Sequence, residues 1–139
     1  MVFHVEFTRI IKRPLHKVFA WCTDFEPEDI RFSENGKSLK VRKKGDIVSL
    51  YSESKDGDKY KAKVKLMPPN RWEADYDGDT FTEHIVYTLQ RVKGGTKFTY
   101  ASDVTYKGRY ADRSQDEAQT EPEAFWDRVI PALEKEVKP

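Results

Sequence analysis

From Leu39 to Lys107 polar and apolar residues alternate with period two, and nothing else in the chain constrains its fold as strongly. That period marks strands with one buried face. Five turn signals interrupt it: Lys44-Gly45-Asp46, Asp56-Gly57-Asp58, Pro68-Pro69-Asn70, Asp77-Gly78-Asp79 and Lys93-Gly94-Gly95. Connections this short join antiparallel neighbours, so a meander of six strands is predicted. Charge fixes the register of one hairpin. With Lys65 facing Glu73, Lys63 faces Asp75 and Lys61 faces Asp77, so three opposite-charge pairs line the outer face. The inner face then matches Leu66 with Trp72, Val64 with Ala74 and Ala62 with Tyr76; a one-residue slip would bury the charges. Carried through the Gly78-Asp79 turn, the pattern sets Tyr76 opposite Phe81, Trp72 opposite Ile85 and Ala74 opposite Glu83. Carried through Lys93-Gly94, it sets Leu89 opposite Phe98, Tyr87 opposite Tyr100 and Ile85 opposite Ser102. Val48 and Leu50 point inward from the strand Ile47–Glu53.

Before the meander, Val2 to Ile11 reads as a strand with Phe3, Val5, Phe7 and Ile11 on one face and Arg9 as its charged exception. Pro14 suits the first position of a short helix, in which Leu15, Val18, Phe19 and Cys22 recur at helical spacing. Asp24 is predicted to cap a second short helical piece, with Phe25 and Ile30 packing inward. After the meander, Tyr106 to Gln119 carries no apolar stripe and reads as a loop or weak helical turn. Thr120-Glu121-Pro122-Glu123 then reads as a capping box. The helix it opens presents Phe125, Trp126, Val129, Ile130, Leu133 and Val137, with a bend expected at Pro131. At about 18 residues, or about 27 Å, it suits lying across a sheet.

This order of elements, together with Ile11-Lys12-Arg13-Pro14-Leu15-His16-Lys17-Val18-Phe19-Ala20-Trp21-Cys22-Thr23-Asp24 and the close from Phe125-Trp126 to Leu133, resembles the START-like helix-grip superfamily, also called SRPBCC. The resemblance spans the whole chain as architecture. It implies an α+β fold, a seven-stranded curved antiparallel sheet wrapped on a long C-terminal helix with two short helices after the first strand. It also implies a deep, largely apolar cavity between sheet and helix. It does not imply a reaction, because the superfamily includes carriers, cyclases, hydrolases and chaperone activators.

The inner face gathers Trp72, Tyr76, Phe81, Ile85, Tyr87, Phe98, Tyr100 and Tyr106, and the helix adds Phe125, Trp126 and Val129. A packed core would use such a face too. Tyrosine hydroxyls, however, need a partner or water when buried, and aromatic walls set with a few polar groups are what small-molecule pockets look like. Glu83 and Arg9 are the charged members of this face. A lone buried carboxylate would raise its pKa, find a cation or meet water, so a Glu83–Arg9 pair is one expectation; the other is that either strand frays or bulges and the charge reaches solvent. Glu83 beside tyrosines is also the best candidate general base. The connection 107–119, with Gly108 as its flexible point and few apolar anchors, is expected to gate the cavity.

Other chemistries find little support. His4 and His84 fall on outer faces and His16 on the exposed side of its helix, so no metal site is expected. Cys22 lies on the apolar stripe, and as the sole cysteine it permits no intrachain disulfide. The basic stretch Lys37–Lys44 suits an edge hairpin that resists strand-to-strand pairing. With 25 Lys+Arg against 24 Asp+Glu, the charge is balanced and a nucleic-acid partner is not expected. No apolar run fits a signal peptide or a membrane span, so a cytoplasmic location is expected. The 139 residues suit one domain, 1–139. Three functions stay open: carriage of a lipid-like or polycyclic ligand, a cofactor-free cyclase or dehydratase using Glu83 and tyrosine hydroxyls, and a chaperone-activator-like interaction module. A cavity within the range of about 300–1,000 Å³ favours the first two, and a filled core favours the third.

Overall fold

The computed structural model describes residues 1–139. Seven strands follow the chain: β1 (Phe3–Ile11), β2 (Gly36–Lys44), β3 (Ile47–Ser54), β4 (Lys59–Met67), β5 (Arg71–Gly78), β6 (Phe81–Val92) and β7 (Gly95–Tyr106). They form one antiparallel sheet in the order β1-β7-β6-β5-β4-β3-β2. Helix α1 (Leu15–Thr23) and a 3-10 segment (Pro27–Phe32) separate β1 from β2, and helix α2 (Gln115–Glu136) closes the chain. This is the predicted helix-grip arrangement. No helix is long and apolar enough to cross a membrane.

The charge-set register holds: Lys61, Lys63 and Lys65 pair in Cα register with Asp77, Asp75 and Glu73, and Leu66, Val64 and Ala62 with Trp72, Ala74 and Tyr76. The three lysines face solvent, yet the acids turn elsewhere. Asp75 and Glu73 flank His84 at 2.7 and 3.4 Å, Glu73 also binds Arg71, and Asp77 lies 3.6 Å from Lys107. The β6–β7 register holds as well, with Leu89, Tyr87 and Ile85 opposite Phe98, Tyr100 and Ser102. Val48 and Leu50 are buried.

The β5–β6 register differs from expectation by two residues: Trp72 faces Tyr87, Ala74 faces Ile85 and Tyr76 faces Glu83. The turn sits one residue later, at Asp79-Thr80, because Gly78 stays in the strand opposite Tyr60. Asp79 pins it there. Its amide donates to the Lys59 carbonyl at 2.9 Å and its carboxylate accepts from the Lys59 amide at 2.8 Å. A slip of two keeps every side chain on its face, so the inner layer is unchanged.

The caps also differ. Pro14 is the extended residue before α1 rather than its first helical one. Glu26, not Asp24, caps the 3-10 segment in a capping box with Asp29. Helix α2 begins at Gln115, capped by the Ser114–Glu117 box, and runs 22 residues with both Pro122 and Pro131 inside it. Thr120 is therefore interior, and Glu123 turns to Arg9 instead of to a cap. The early start has a physical reason. Gln115 and Gln119 donate from Nε2 to the carbonyls of His4 and Glu6, each at 3.1 Å, along the unpaired edge of β1. Ala118, 1% exposed, packs beneath them.

Candidate ligand-binding site

An apolar hollow of about 170 Å³ lies where α1, the 3-10 segment and α2 meet the sheet. From the sheet, Leu50, Tyr60, Val64, Trp72, Ala74, Tyr76 and Tyr87 line it. Phe125, Trp126 and Val129 close it from α2, and Trp21, Cys22, Phe25, Ile30 and Phe32 from the segment before β2. It is smaller than the 300–1,000 Å³ expected of a drug-sized site. Two larger hollows, about 670 and 470 Å³, are polar surface depressions, one around Lys40, Lys61 and Asp77, the other around Lys12, His16 and Arg91. The first is ringed mostly by polar and charged side chains, and the second sets Pro14, Leu15 and Val92 among basic residues at the surface.

Six of the expected residues border the hollow: Trp72, Tyr76, Tyr87, Phe125, Trp126 and Val129. Trp72 stacks on Tyr87 at 4.8 Å, and Trp126 meets Tyr87 edge-on at 5.7 Å, which fixes the wall's aromatic planes. The others are placed elsewhere. Phe98 and Ile85 are core, Phe98 lying 4.5 Å from Trp126. Phe81 packs with Tyr60 and Tyr76, and Tyr106 with Phe3 and Arg113. Burial pushes the Tyr106 hydroxyl up to about 12.

Arg9 does not meet Glu83. Its guanidinium binds Asp127 at 2.8 Å and Glu123 at 2.7 Å, fastening β1 to α2. Those contacts hold both carboxyls below the usual range. A helix starting at Gln115 carries two acids over β1 that Arg9 reaches without crossing the core.

Glu83 sits beside the hollow rather than in it. Its Oε2 accepts from Tyr100 Oη at 2.9 Å and Ser102 Oγ at 2.7 Å, and no cation pairs with it. Burial raises its pKa above the usual carboxylate range, the two hydroxyl donors oppose that, and the Glu121 charge adds to it. The hydroxyls of Tyr76 and Tyr87, by contrast, bond to no protein atom, and burial pushes both well above the usual tyrosine range. No side-chain polar atom sealed from all open space lacks a partner. These two hydroxyls therefore reach the hollow, and so does Trp72 Nε1, which also donates to no protein atom.

In the wall supplied by Trp21, Phe25, Ile30 and Phe32, the inward positions of Phe25 and Ile30 match the sequence reading, while Trp21 and Phe32 are additions from the structure. Their signal is four large apolar residues in a run rich in acids. Cys22 joins them, and burial pushes its thiol up. The connection expected to gate the cavity is shorter than 107–119, since residues from Gln115 belong to α2. What remains is tied down: Gly108–Tyr110 forms a 3-10 turn, Arg109 binds Asp56 and Asp58, and Arg113 stacks on Tyr110 at 3.8 Å.

No family model and no curated protein matches the sequence. Solved structures do match as folds. A START superfamily protein from Mycobacterium smegmatis shares 15% identity at a TM-score of 0.71, over 96% of each chain. The Zhui aromatase/cyclase from Streptomyces sp. R1128 shares 14% at 0.70, over 99% of this chain and 97% of that one. An uncharacterised protein from Rhizobium leguminosarum shares 17% at 0.71, over 97% and 96%. The chain thus has the START-like helix-grip fold, the architecture of the SRPBCC superfamily.

Proposed function

We propose that residues 1–139 act as one unit that binds a small apolar molecule in the hollow between sheet and α2. One observation carries this reading. Protein interiors are close-packed, and here nine aromatic rings surround about 170 Å³ that their own side chains leave unfilled. The matching folds include one named as an aromatase/cyclase and one named for the START superfamily, which agrees with a cavity fold. A lone cysteine and no disulfide fit a reducing compartment such as the cytoplasm. The test is 19F NMR of fluorobenzene with the purified protein. Saturable binding is expected, with loss of binding in Ala74→Leu, which fills the hollow from β5 while circular dichroism stays native. Fluorobenzene that remains free at millimolar concentration would overturn the proposal.

A second reading, acid–base chemistry at Glu83, draws on its pair of hydroxyl donors and its place opposite Tyr76, which lines the hollow. Its premise is a carboxyl whose burial holds its pKa above the usual carboxylate range. A carboxyl with a raised folded pKa contributes stability that is present below its unfolded value, near pH 4.3, and is lost as pH rises through the folded value. Glu83→Gln keeps an oxygen for Tyr100 and Ser102 but removes the charge. Its melting temperature should exceed the wild type's at pH 8, with the gap closing toward pH 4. A gap that does not change with pH removes the premise.

A further inference from the structure

Granted the binding reading above, the wall of the hollow also states what kind of molecule it holds. Volume sets the size. About 170 Å³ is close to the roughly 150 Å³ of an apolar cavity that takes up benzene, and well below the roughly 300 Å³ at which drug-sized sites begin. One ring with two or three further heavy atoms fills it, whereas a fused polycycle or an acyl chain exceeds this volume.

Polarity sets the chemistry. Trp72 Nε1 and the hydroxyls of Tyr76 and Tyr87 border the hollow and donate to no protein atom. An indole N–H can only donate, and both tyrosines remain protonated at neutral pH. A hydrocarbon would leave all three donors unmatched, so a ligand that accepts from them binds more tightly than one of the same shape that cannot. So aromatic a wall could instead cage a cation. Donor groups, however, turn their positive ends toward the ligand, and the carboxyl in the wall, Asp29, is engaged by the Glu26 amide at 3.1 Å.

We propose that the hollow selects a compact, neutral, one-ring molecule bearing hydrogen-bond acceptors, such as an aryl ketone, an aryl ester or an N-heteroarene. Acetophenone and α-methylstyrene test this, because they share one shape and differ in C=O against C=CH2. Their affinities are measured by displacement of fluorobenzene, alongside 2-acetonaphthone, decanoate and tetramethylammonium.

Acetophenone should bind about tenfold tighter than α-methylstyrene, as one or two gained hydrogen bonds would give. In the Tyr76→Phe/Tyr87→Phe double variant the ratio should fall to within about threefold, because only Trp72 is left to donate. The free variant should melt no lower than the wild type, since neither hydroxyl holds a partner in the fold. Equal affinities for the isosteric pair, with fluorobenzene still bound, would overturn the acceptor class and leave the binding reading standing. Tighter binding of the naphthyl ketone or decanoate would overturn the size limit, and of tetramethylammonium the neutral class. A ratio unchanged in the double variant would overturn the assignment to these hydroxyls. Fluorobenzene that binds nowhere would overturn the binding reading itself.

Discussion

Truncating Trp126 to alanine should cost about 3–5 kcal/mol of stability, the range for removing a large aromatic from a core. The residue is 7% exposed, its ring lies 4.5 Å from Phe98, and it meets Tyr87 and Phe125 edge-on, each at 5.7 Å. It is the widest apolar side chain α2 sets against the sheet. Its loss should therefore lower the urea midpoint and reduce the melting temperature by about 10 °C. The same change enlarges the hollow, so 2-acetonaphthone should bind the variant where it does not bind the wild type. A loss under about 1 kcal/mol would show that α2 is held mainly by its polar contacts with β1, and this account of the core would fail.

Gly95→Ala should cost about 3 kcal/mol, at the upper end of the range for overpacking. A Cβ built there would lie 2.2 Å from the Ile11 carbonyl oxygen and 3.1 Å from Lys12 Cα. Those atoms are backbone at the end of β1, and the neighbouring Thr96 ties the same stretch through its hydroxyl to the Arg13 carbonyl at 2.8 Å. Neither side can yield without unpairing β1 from β7. Gly36 makes the contrast. The nearest atoms to its Cβ belong to the flexible end of Ile30, so Gly36→Ala should cost far less. Chemical denaturation of both variants, read side by side, checks this; equal costs would mean the β1–β7 corner is softer than its geometry states.

How much of this was legible in the sequence depended on whether a signal was local. Alternation and paired charges specified the β4–β5 register because each residue's burial is decided by its own strand. The β5–β6 turn was misplaced by one residue because Asp77-Gly78-Asp79 offers two positions for the bend. Contacts to Lys59, remote in sequence, chose between them. The start of α2 was missed for a similar reason. The sequence reading takes Thr120–Glu123 as the capping box, whereas the helix is capped by Ser114–Glu117, where contacts to the edge of β1 hold its first turns. For the site, the aromatic layer was legible as a layer. Which of its members face open space was not, because that depends on how closely α1 and the 3-10 segment approach. Arg9 and Glu83 were both visible as misfits on an apolar face. Their separate partners followed only from where α2 lies.

The two edges of the sheet are shielded by different means, and this bears on how the protein can open. Strand β2 carries its own deterrent, a row of lysines that repels another strand. Strand β1 does not. The carbonyls of His4 and Glu6 accept from the amides of Gln115 and Gln119, and that of Thr8 from Arg9, so α2 covers the first part of this edge. Lifting α2 to admit a ligand would bare that edge at the moment the core is uncovered, and each loading cycle would risk self-association. Traffic through the side formed by α1 and the 3-10 segment carries no such hazard, because movement there leaves the β1 carbonyls capped. If the hollow binds a ligand as proposed, exchange through that side would keep the shielding of the β1 edge apart from ligand traffic.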